Sequence, residues 1–334
     1  MIATARAIVT VDQIYLHTTM SFMLFLTLTF ASLASINASP LKSKFGKPTH
    51  QPVVNAVIDT LSISDLQADL AILSNFHTRF YNSTTGAAAS QWLLGYVEEI
   101  TSGRDDITAE AFTHADFPQT STIVHFNGQN SSAPVTIVGS HIDSVSWRGE
   151  LEDPASDRSP GADDDGSGSV NVIATLRALV EAGFEPATPL EFHWYAGEEG
   201  GLLGSDAVSK KYKADGIEVN AYMNLDMNAY TKPGEEEVIV IRQDFSDPDL
   251  NEFIESLIDE YIGLPVATAQ CGYACSDHAS WHRQGFPAAM PFEGRTRNPL
   301  FHTIDDTTEA PGFSWEHSIQ FAKLAVAFAY ELSA

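Results

Sequence analysis

The sequence has few cysteines, few basic residues and no apolar run long enough to span a membrane comfortably. Its two cysteines, Cys271 and Cys275, leave no second pair with which a cysteine-based zinc knuckle could be completed. The 18 basic residues are outnumbered by 44 acidic ones, and the net charge of -26 argues against nucleic acids and anionic membranes as partners. We also find neither an internal repeat nor a low-complexity tract.

An apolar run at residues 22–34 is shorter than the about 20 residues that a membrane-spanning helix needs. Small residues, a proline and three lysines follow it, which is the layout of a secretory signal cleaved near Ala34 or Ala38. The segment before the run is long and mixed for a signal, so Met20 is an alternative start, although no basic residue then precedes the run. A buried N-terminal helix is the other interpretation. We therefore predict a signal region at residues 1–38 and a secreted, extracellular protein.

The remaining chain is long enough for one large α/β domain or two smaller ones. A hydrophobic content of 44% with 19% charged residues is ordinary for a globular protein with a substantial core. Residues 39–55 are rich in lysine, proline and polar residues, which predicts a linker or a short pro-segment. Residues 56–334 are then predicted to form the folded domain.

Strands and helices alternate along this predicted domain. Periodicity and end signals predict helices at residues 63–74, 87–100, 169–182, 205–213, 250–261 and 313–332. Strands are predicted at residues 121–126, 135–139, 190–196, 222–225, 238–242 and 287–292. The alternation favours a single α/β domain with a mainly parallel, mixed central sheet and helices on both faces.

Residues 161–168 read GADDDGSG and are the most unusual stretch of the chain. Three adjacent carboxylates between glycines make a poor helix or strand, because like charges repel and nothing apolar is buried. A turn whose carboxylates converge on a cation would explain the composition. A solvated acidic loop is the alternative interpretation.

His141, Glu198, Glu199 and Asp226 each lie just past a predicted strand, where ligands collect in sheets of this kind. The candidate metal ligands are His141, Asp164, one of the Glu198–Glu199 pair, Asp226 and His302. Mixed imidazole and carboxylate donors suit zinc or another borderline divalent metal, and five ligands exceed what one tetrahedral site uses. This number favours two metal ions that share a carboxylate. Taken singly, each residue has an ordinary alternative as a strand-end histidine, a solvated turn, a helix cap or a loop residue.

Glu198 and Glu199 are adjacent in a glycine-rich turn, where two close carboxylates raise each other's pKa. The pair makes functional sense if one carboxylate binds metal while the other takes up a proton. Because a metal ion lowers the pKa of a coordinated water, such a combination performs hydrolysis. Asp143, two residues after His141, could accept the second imidazole N–H and fix its tautomer.

Five segments, in this order, resemble the two-zinc aminopeptidases, in particular the secreted bacterial and fungal leucine aminopeptidases. The segments are VGSHIDS at 138–144, PGADDDGSG at 160–168, AGEEGGL at 196–202, NLDM at 224–227 and CGYACSDHASW at 271–281. The likeness runs from about residue 76 to the C-terminus. It implies a zinc exopeptidase fold of the phosphorylase/hydrolase-like type over residues 56–334, with two zinc ions per chain and peptide substrates, and we expect a monomer.

Transferred position by position, the resemblance also assigns roles. It places one zinc ion on His141 and Asp226 and the other on Glu199 and His302, with Asp164 bridging the two. It makes Glu198 the general base and then the acid, and Asp143 the residue that orients His141. It further implies that the peptide bond between Asp164 and Asp165 is cis.

The family's pocket for the first substrate side chain corresponds to eight positions. They are Met227, Ile241, Cys271, Tyr273, Cys275, Met290, Phe292 and Phe301. Plain core packing is the alternative for all of them, above all for Met290 and Ile241. Tyr273 lies inside the small loop that a Cys271–Cys275 disulfide would close in an exported chain, and its phenol could stabilise an oxyanion.

The resemblance implies a metallo-aminopeptidase that removes large apolar, leucine-like N-terminal residues. A carboxypeptidase-type relative is an alternative, with Arg295 or Arg297 holding the substrate carboxylate. Single-zinc glutaminyl cyclases share a similar sheet, and a catalytically inactive binding homologue is the third alternative, although no ligand or base is missing here. Asn82 and Asn130 fit the N-glycosylation pattern, which matters if the host is eukaryotic.

Overall fold

The structure, a computed structural model, describes residues 44–147 and 153–334. The predicted signal region at 1–38 lies outside the described residues, as does the start of the predicted linker. No helix in the described part of the chain has both the length and the hydropathy to cross a bilayer.

A six-stranded mixed sheet forms the centre of the fold, with the strand order β1-β2-β4-β3-β5-β8. Its strands are β1 (Ile107–Phe112), β2 (Ser121–Phe126), β3 (Val135–His141), β4 (Leu190–Tyr195), β5 (Val219–Asn224) and β8 (Ala288–Ala289). Strands β4, β3, β5 and β8 are parallel neighbours, while β1 and β2 extend the sheet in antiparallel fashion. The predicted mixed α/β architecture with a mainly parallel sheet is therefore confirmed.

Helices cover both faces of this sheet. They are α1 (Gln51–Ile58), α2 (Ile63–Leu73), α3 (Thr84–Ile100), α4 (Gly168–Glu181), α5 (Leu203–Asp215), α6 (Pro248–Leu257), α7 (His278–Arg283) and α8 (Trp315–Ser333). Val138 and Phe192 pack into the larger core with α4 and α8, whereas Ile137 and Tyr195 pack into a second core with α5 and α7. Because alternate residues of a strand face opposite ways, β3 and β4 are buried along their whole length.

A second, three-stranded sheet lies outside the central one. It consists of β7 (Val266–Ala269), β6 (Ile239–Arg242) and β9 (Pro291–Phe292), in the order β7-β6-β9. The single strand predicted at 287–292 is divided between the two sheets: β8 pairs with β5, and β9 pairs with β6. Met290 lies at the division, where its carbonyl accepts a hydrogen bond from the Arg242 backbone N–H at 3.0 Å.

The stretch predicted as a linker at 39–55 is partly ordered against the domain. Phe45 is 5% exposed in the larger core, and α1 begins at residue 51 and buries Val54 and Val57. The apolar face of α1 is short and is interrupted by polar residues, which explains why the composition indicated a linker. Strands β1 and β7 and helix α7 were not predicted either, since each is short and neither strand is fully buried.

Two glycines of α3 provide a matched test of this packing. A Cβ on Gly86 would lie 2.1 Å from the Phe80 carbonyl oxygen, whereas a Cβ on the exposed Gly95 would meet nothing within 4 Å. Gly86→Ala should lower the free energy of unfolding by about 1–3 kcal/mol through overpacking. Gly95→Ala should raise it by about 0.5–1 kcal/mol through helix propensity. Urea denaturation followed by circular dichroism measures both, and equal effects at the two positions would contradict the described packing.

Candidate metal centre

Three parallel strands carry the predicted site residues to the same edge of the central sheet. His141 is the last residue of β3, Glu198 and Glu199 follow β4 after two residues, and Asp226 follows β5 after one. Parallel strands end at a common edge, so the side chains meet although they are distant in sequence. His302 reaches the same place from a loop between β9 and α8 and has a positive φ of 57°.

The acidic octet at 161–168 is an irregular, kinked turn that runs into α4. The turn covers Ala162–Ser167, and the peptide bond between Asp164 and Asp165 is cis, as the resemblance implied. Of the three adjacent aspartates, only Asp164 belongs to the candidate metal groups. Asp163 and Asp165 instead accept hydrogen bonds from the backbone N–H groups of Ala229, His141 and Gly168.

The five candidate ligands form two groups that share Asp164. One group is His141, Asp164 and Asp226, and the other is Asp164, Glu199 and His302; in each group the possible ligand atoms lie within 4.8 Å of one another. His141 Nε2 is 3.3 Å from Asp164 Oδ1 and 3.7 Å from Asp226 Oδ1. His302 Nε2 is 3.0 Å from Asp164 Oδ2 and 2.9 Å from Glu199 Oε2. Each oxygen of Asp164 thus faces a different histidine.

The donor chemistry of these groups fits divalent metal ions. Imidazole nitrogen with carboxylate oxygen is a set that zinc takes in proteins. Glu199 Oε1 is buried and has no hydrogen-bond partner among the described residues, so a buried acceptor is left for a cation. The chain therefore has candidate metal-binding groups at the edge of its sheet.

Burial and crowding shift the pKa values of this cluster strongly. Burial, together with the charge of Asp164, raises the pKa of Glu199 to about 7 despite the contact with His302. Burial lowers the pKa of His302, but its bonds to Asp164 and Glu199 outweigh burial and raise that pKa to about 11. Burial also raises the pKa of Glu198 well above its usual range, and Glu199 and Asp226 add to this. Carboxylates this close together can be buried only if a positive charge lies beside them.

Asp143 holds the turn that carries the two glutamates. Its carboxylate oxygens accept the backbone N–H groups of Glu198 at 3.0 Å and Glu199 at 3.1 Å. His141 Nδ1 lies 3.5 Å from the Asp143 carboxylate and 3.2 Å from the Asp143 main-chain oxygen. Asp143 therefore contacts His141 as predicted in sequence, and it also fixes the glutamate turn, which sequence reasoning missed.

Asp306 stabilises the backbone of the acidic octet. Its carboxylate accepts the backbone N–H groups of Asp163 and Asp164, both at 3.1 Å. Asp163 in turn accepts the Asn298 side-chain amide at 2.9 Å and the Ala229 N–H at 3.0 Å. These contacts fix the backbone at Asp164 without using its carboxylate. Asp306 lies only four residues after His302 in the sequence, yet no pattern there distinguishes it from a surface acid.

Arg79 is a fully buried cation next to the acidic octet, and sequence reasoning missed it. Its guanidinium donates to the carbonyl oxygens of Ile142 at 2.8 Å, Pro160 at 2.6 Å and Gly161 at 2.8 Å. Arg79 thereby joins the segment after β3 to the start of the acidic octet. Burial lowers its pKa to about 10, against the charges of Asp306 and three other nearby aspartates.

Gly161 is required by this close approach. Its φ is 49°, and a Cβ there would lie 2.9 Å from Arg79 Nη2 and 2.5 Å from Ser144 Cβ. A side chain at this position would push the buried guanidinium off its carbonyl partners. The first glycine of the octet thus serves the packing of Arg79.

Two adjoining cavities open at the site. The metal cavity, of about 240 Å³, is lined by Asp164, Glu198, Glu199, Asp226, His302 and neighbouring residues that include Phe301. The side cavity, of about 350 Å³, is lined by Met227, Cys271, Tyr273, Cys275, Met290, Phe292, three arginines, Gln270 and Asp226. Met227, Tyr273 and Cys275 belong to both cavities, so the side cavity is where a group attached to the reacting centre would extend.

Ile241 is the pocket residue that the structure contradicts. It is fully buried in the larger core, while Val240, the preceding residue of β6, packs with Met227, Met290 and Phe292. The two faces of a strand alternate, so the prediction placed the pocket on the wrong face of β6. The same alternation brings Arg242 to the side cavity, a residue that sequence reasoning missed.

The predicted disulfide is present between Cys271 and Cys275, which confirms that pairing. The Asp244 carboxylate fixes the loop by accepting the backbone N–H groups of Cys271 at 3.0 Å and Gly272 at 2.6 Å. Tyr273 in this loop is 58% exposed and forms part of the rim of both cavities.

Comparison with known proteins identifies the family. The family model described as peptidase family M28 matches residues 121–329. A probable leucine aminopeptidase of Arthroderma benhamiae is 42% identical over 292 residues, which cover 85% of this chain and 75% of the relative. This chain belongs to peptidase family M28.

A solved structure supports the same family. The M28 chain is similar to the LapA aminopeptidase of Legionella pneumophila, with a TM-score of 0.81 and 32% identity over 88% of this chain and 76% of that one. Membership of the family and these relatives make the chain a metallo-aminopeptidase, which is a hydrolase. The fold alone would not decide this, because a glutaminyl cyclase of Bacteroides thetaiotaomicron, 16% identical over 82% of this chain and 99% of that one, has a TM-score of 0.64.

The buried Arg79 of this M28 peptidase gives a test of how the centre is held. Arg79→Met should lower the free energy of unfolding by about 3–5 kcal/mol, since it leaves buried carbonyls without a donor and removes a buried positive charge. Arg79→Lys should recover part of the loss. Arg158→Met is the control, because Arg158 also donates to main-chain carbonyls but is only partly buried. Urea denaturation and zinc affinity are the measurements, and an unaltered zinc affinity in Arg79→Met would contradict this role.

Proposed function

We propose that this chain is a secreted, monomeric two-zinc aminopeptidase that removes large apolar, leucine-like residues from the N-termini of peptides. The observation that carries the proposal is the pair of ligand groups sharing Asp164, placed next to a cavity with apolar walls. The relatives named leucine aminopeptidase support the substrate class. The disulfide and the predicted signal at 1–38 support secretion.

Zinc would be held by the two groups already described. His141 and Asp226 would bind one ion, Glu199 and His302 the other, and Asp164 would be shared by the two. Zinc bound there would polarise the scissile carbonyl and activate a water molecule for attack. Side chains of the protein would carry out the proton transfer and orient the substrate.

Glu198 is the group we assign to proton transfer. It lines the metal cavity, and its carboxylate has no hydrogen-bond partner among the described residues, so it is free to act on a substrate. It would take the proton of the attacking water and return it to the leaving amine, as general base and then general acid. Asp143 would position it, because it holds the backbone N–H groups of both glutamates.

The substrate would be oriented from both cavities. Glu199 is a second carboxylate at the metal cavity and would attract the free α-amine, which restricts cleavage to the N-terminal residue. The first side chain would enter the side cavity between Met227, Met290 and Phe292. The phenol of Tyr273, on the shared rim, would donate to the oxyanion.

Asn82 and Asn130 stay predicted glycosylation sites. Both are exposed at the ends of elements, Asn82 before α3 and Asn130 between β2 and β3. Both positions are therefore sterically open to a glycan in a secreted eukaryotic protein.

Hydrolysis of aminoacyl anilides tests the proposed activity. Leucyl anilide should be cleaved, the N-acetylated form should not, and dialysis against a chelator should abolish the rate until zinc is added back. Cleavage of the acetylated substrate would indicate an endopeptidase. A preference for substrates with a free C-terminal carboxylate would instead favour the carboxypeptidase alternative, in which Arg295 or Arg297 holds that group.

Replacement of Glu198 separates proton transfer from metal binding. Glu198→Gln should lower kcat by about 10²–10⁴-fold, because the amide cannot accept the proton. The variant should still bind two equivalents of zinc, which equilibrium dialysis measures. His302→Ala is the complementary variant and should bind one equivalent tightly, since the other ligand group is intact. An unchanged kcat in Glu198→Gln, or one equivalent in the unaltered chain, would overturn these assignments.

A further inference from the structure

The side cavity carries more positive charge than an apolar pocket needs. Arg242, Arg295 and Arg297 line it, and Asp226 is the one acidic residue among its described lining residues. The whole chain has 18 basic residues, so three arginines on one cavity are a local concentration of positive charge. This charge lies beside the apolar walls formed by Met290 and Phe292.

Arg242 is built into the wall of the cavity. It ends β6, and its guanidinium lies over the ring of Phe292 at 3.9 Å from the ring centre. Its Nε is buried and has no hydrogen-bond partner within the described residues. A guanidinium that stacks on a ring keeps its N–H donors in its own plane, where a carboxylate can meet them.

Arg297 faces the same space from the boundary of the two cavities. It lines both of them, and its guanidinium lies 3.7 Å from the ring centre of Phe301. Neither Arg242 nor Arg297 forms an ion pair within the part of the chain that the structure describes. Arg295 pairs with Glu236 at 3.4 Å, but both side chains are at least half exposed, so that pair is weak.

Asp226 belongs to a candidate metal group, and the other nearby carboxylates are already occupied by backbone donors. Asp244 accepts two N–H groups of the disulfide loop, and Glu293 accepts those of Tyr230 at 2.8 Å and Asn298 at 3.0 Å. Two arginines without an anionic partner therefore line one cavity. An anion bound by these two guanidinium groups would give them the partner that they lack.

We propose that the side cavity binds the carboxylate of an N-terminal glutamate or aspartate through Arg242 and Arg297, so that the enzyme removes acidic as well as apolar residues. The inference rests on the proposed function, because it assigns the first side chain to this cavity. The methylene groups of glutamate would lie along Met227 and Phe292, and the carboxylate would reach the guanidinium donors. The net charge of -26 does not oppose this, since charges beyond about 8 Å are screened at physiological salt.

The ratio of kcat/KM for glutamyl and glutaminyl anilides tests the proposal. The two substrates have the same shape and differ in charge, and neither has a C-terminal carboxylate, so any preference arises from the side chain. In the unaltered enzyme we expect glutamyl over glutaminyl by about ten- to a hundredfold, the range for charge-assisted hydrogen bonds. The same ratio for aspartyl and asparaginyl anilides should exceed one by less, because the shorter side chain reaches less far.

Replacing the arginines should remove the preference. In Arg242→Gln and Arg297→Gln the ratio should fall by about tenfold each towards one. Arg283→Gln is the matched control, because Arg283 is an exposed arginine that also stacks on a ring, that of Phe245, yet lines neither cavity. Its ratio should not change. Arg297 is exposed, so its variant keeps the test available if Arg242→Gln fails to fold.

Hydrolysis of leucyl anilide distinguishes a failure of the proposed function from a failure of this inference. If leucyl anilide is not hydrolysed either, the proposed function fails. If it is hydrolysed while glutamyl is no better than glutaminyl, or while both arginine variants keep the original ratio, the inference alone is overturned. A glutamyl preference that falls in both variants and not in the control supports it.

Discussion

The structure depends on one constraint, which is that many carboxylates are buried together at one edge of the central sheet. A buried carboxylate is costly unless it meets donors or a cation. Asp163, Asp165 and Asp306 meet backbone N–H groups, and Arg79 adds a buried positive charge. Asp164, Glu199 and Asp226, which these donors leave free, face the two histidines, and Glu198 lines the metal cavity.

The supporting contacts fix the positions of the site residues. Arg79 donates to carbonyl oxygens at the start of the acidic octet, and Asp306 accepts backbone N–H groups within it. Asp143 accepts the backbone N–H groups of the glutamate turn. Each of these links fixes main-chain atoms and so sets the direction in which Asp164, Glu198 and Glu199 point. A metallo-aminopeptidase needs this rigidity because the candidate ligands come from five separate segments of the chain.

The second sheet and the disulfide loop determine what lies beside the centre. β6 presents Arg242 to the side cavity and packs Val240 against its apolar wall, and the loop places Tyr273 on the rim. The charge of this cavity comes from residues at the end of one short strand and in the loop before His302.

The family, the mixed α/β architecture, the disulfide and the enzyme class all followed from local patterns. Alternating apolar runs gave the strands, and five short motifs gave the resemblance, because glycine-rich turns with adjacent acids occur in few other contexts. Less could be predicted where an element is short or polar. Helix α1 was interpreted as linker, and the strand predicted at 287–292 belongs to two sheets.

The sequence by itself determined which side chains can bind a cation and which strands bring them to one edge, since both depend on residue type and local periodicity. Only the tertiary structure decided the rest. It turned Ile241 into the core and Arg242 to the cavity, used Asp163 and Asp165 for main-chain support, and placed Arg79 beneath them. The physical reason is that these roles depend on contacts between segments far apart in the chain, for which no local pattern exists.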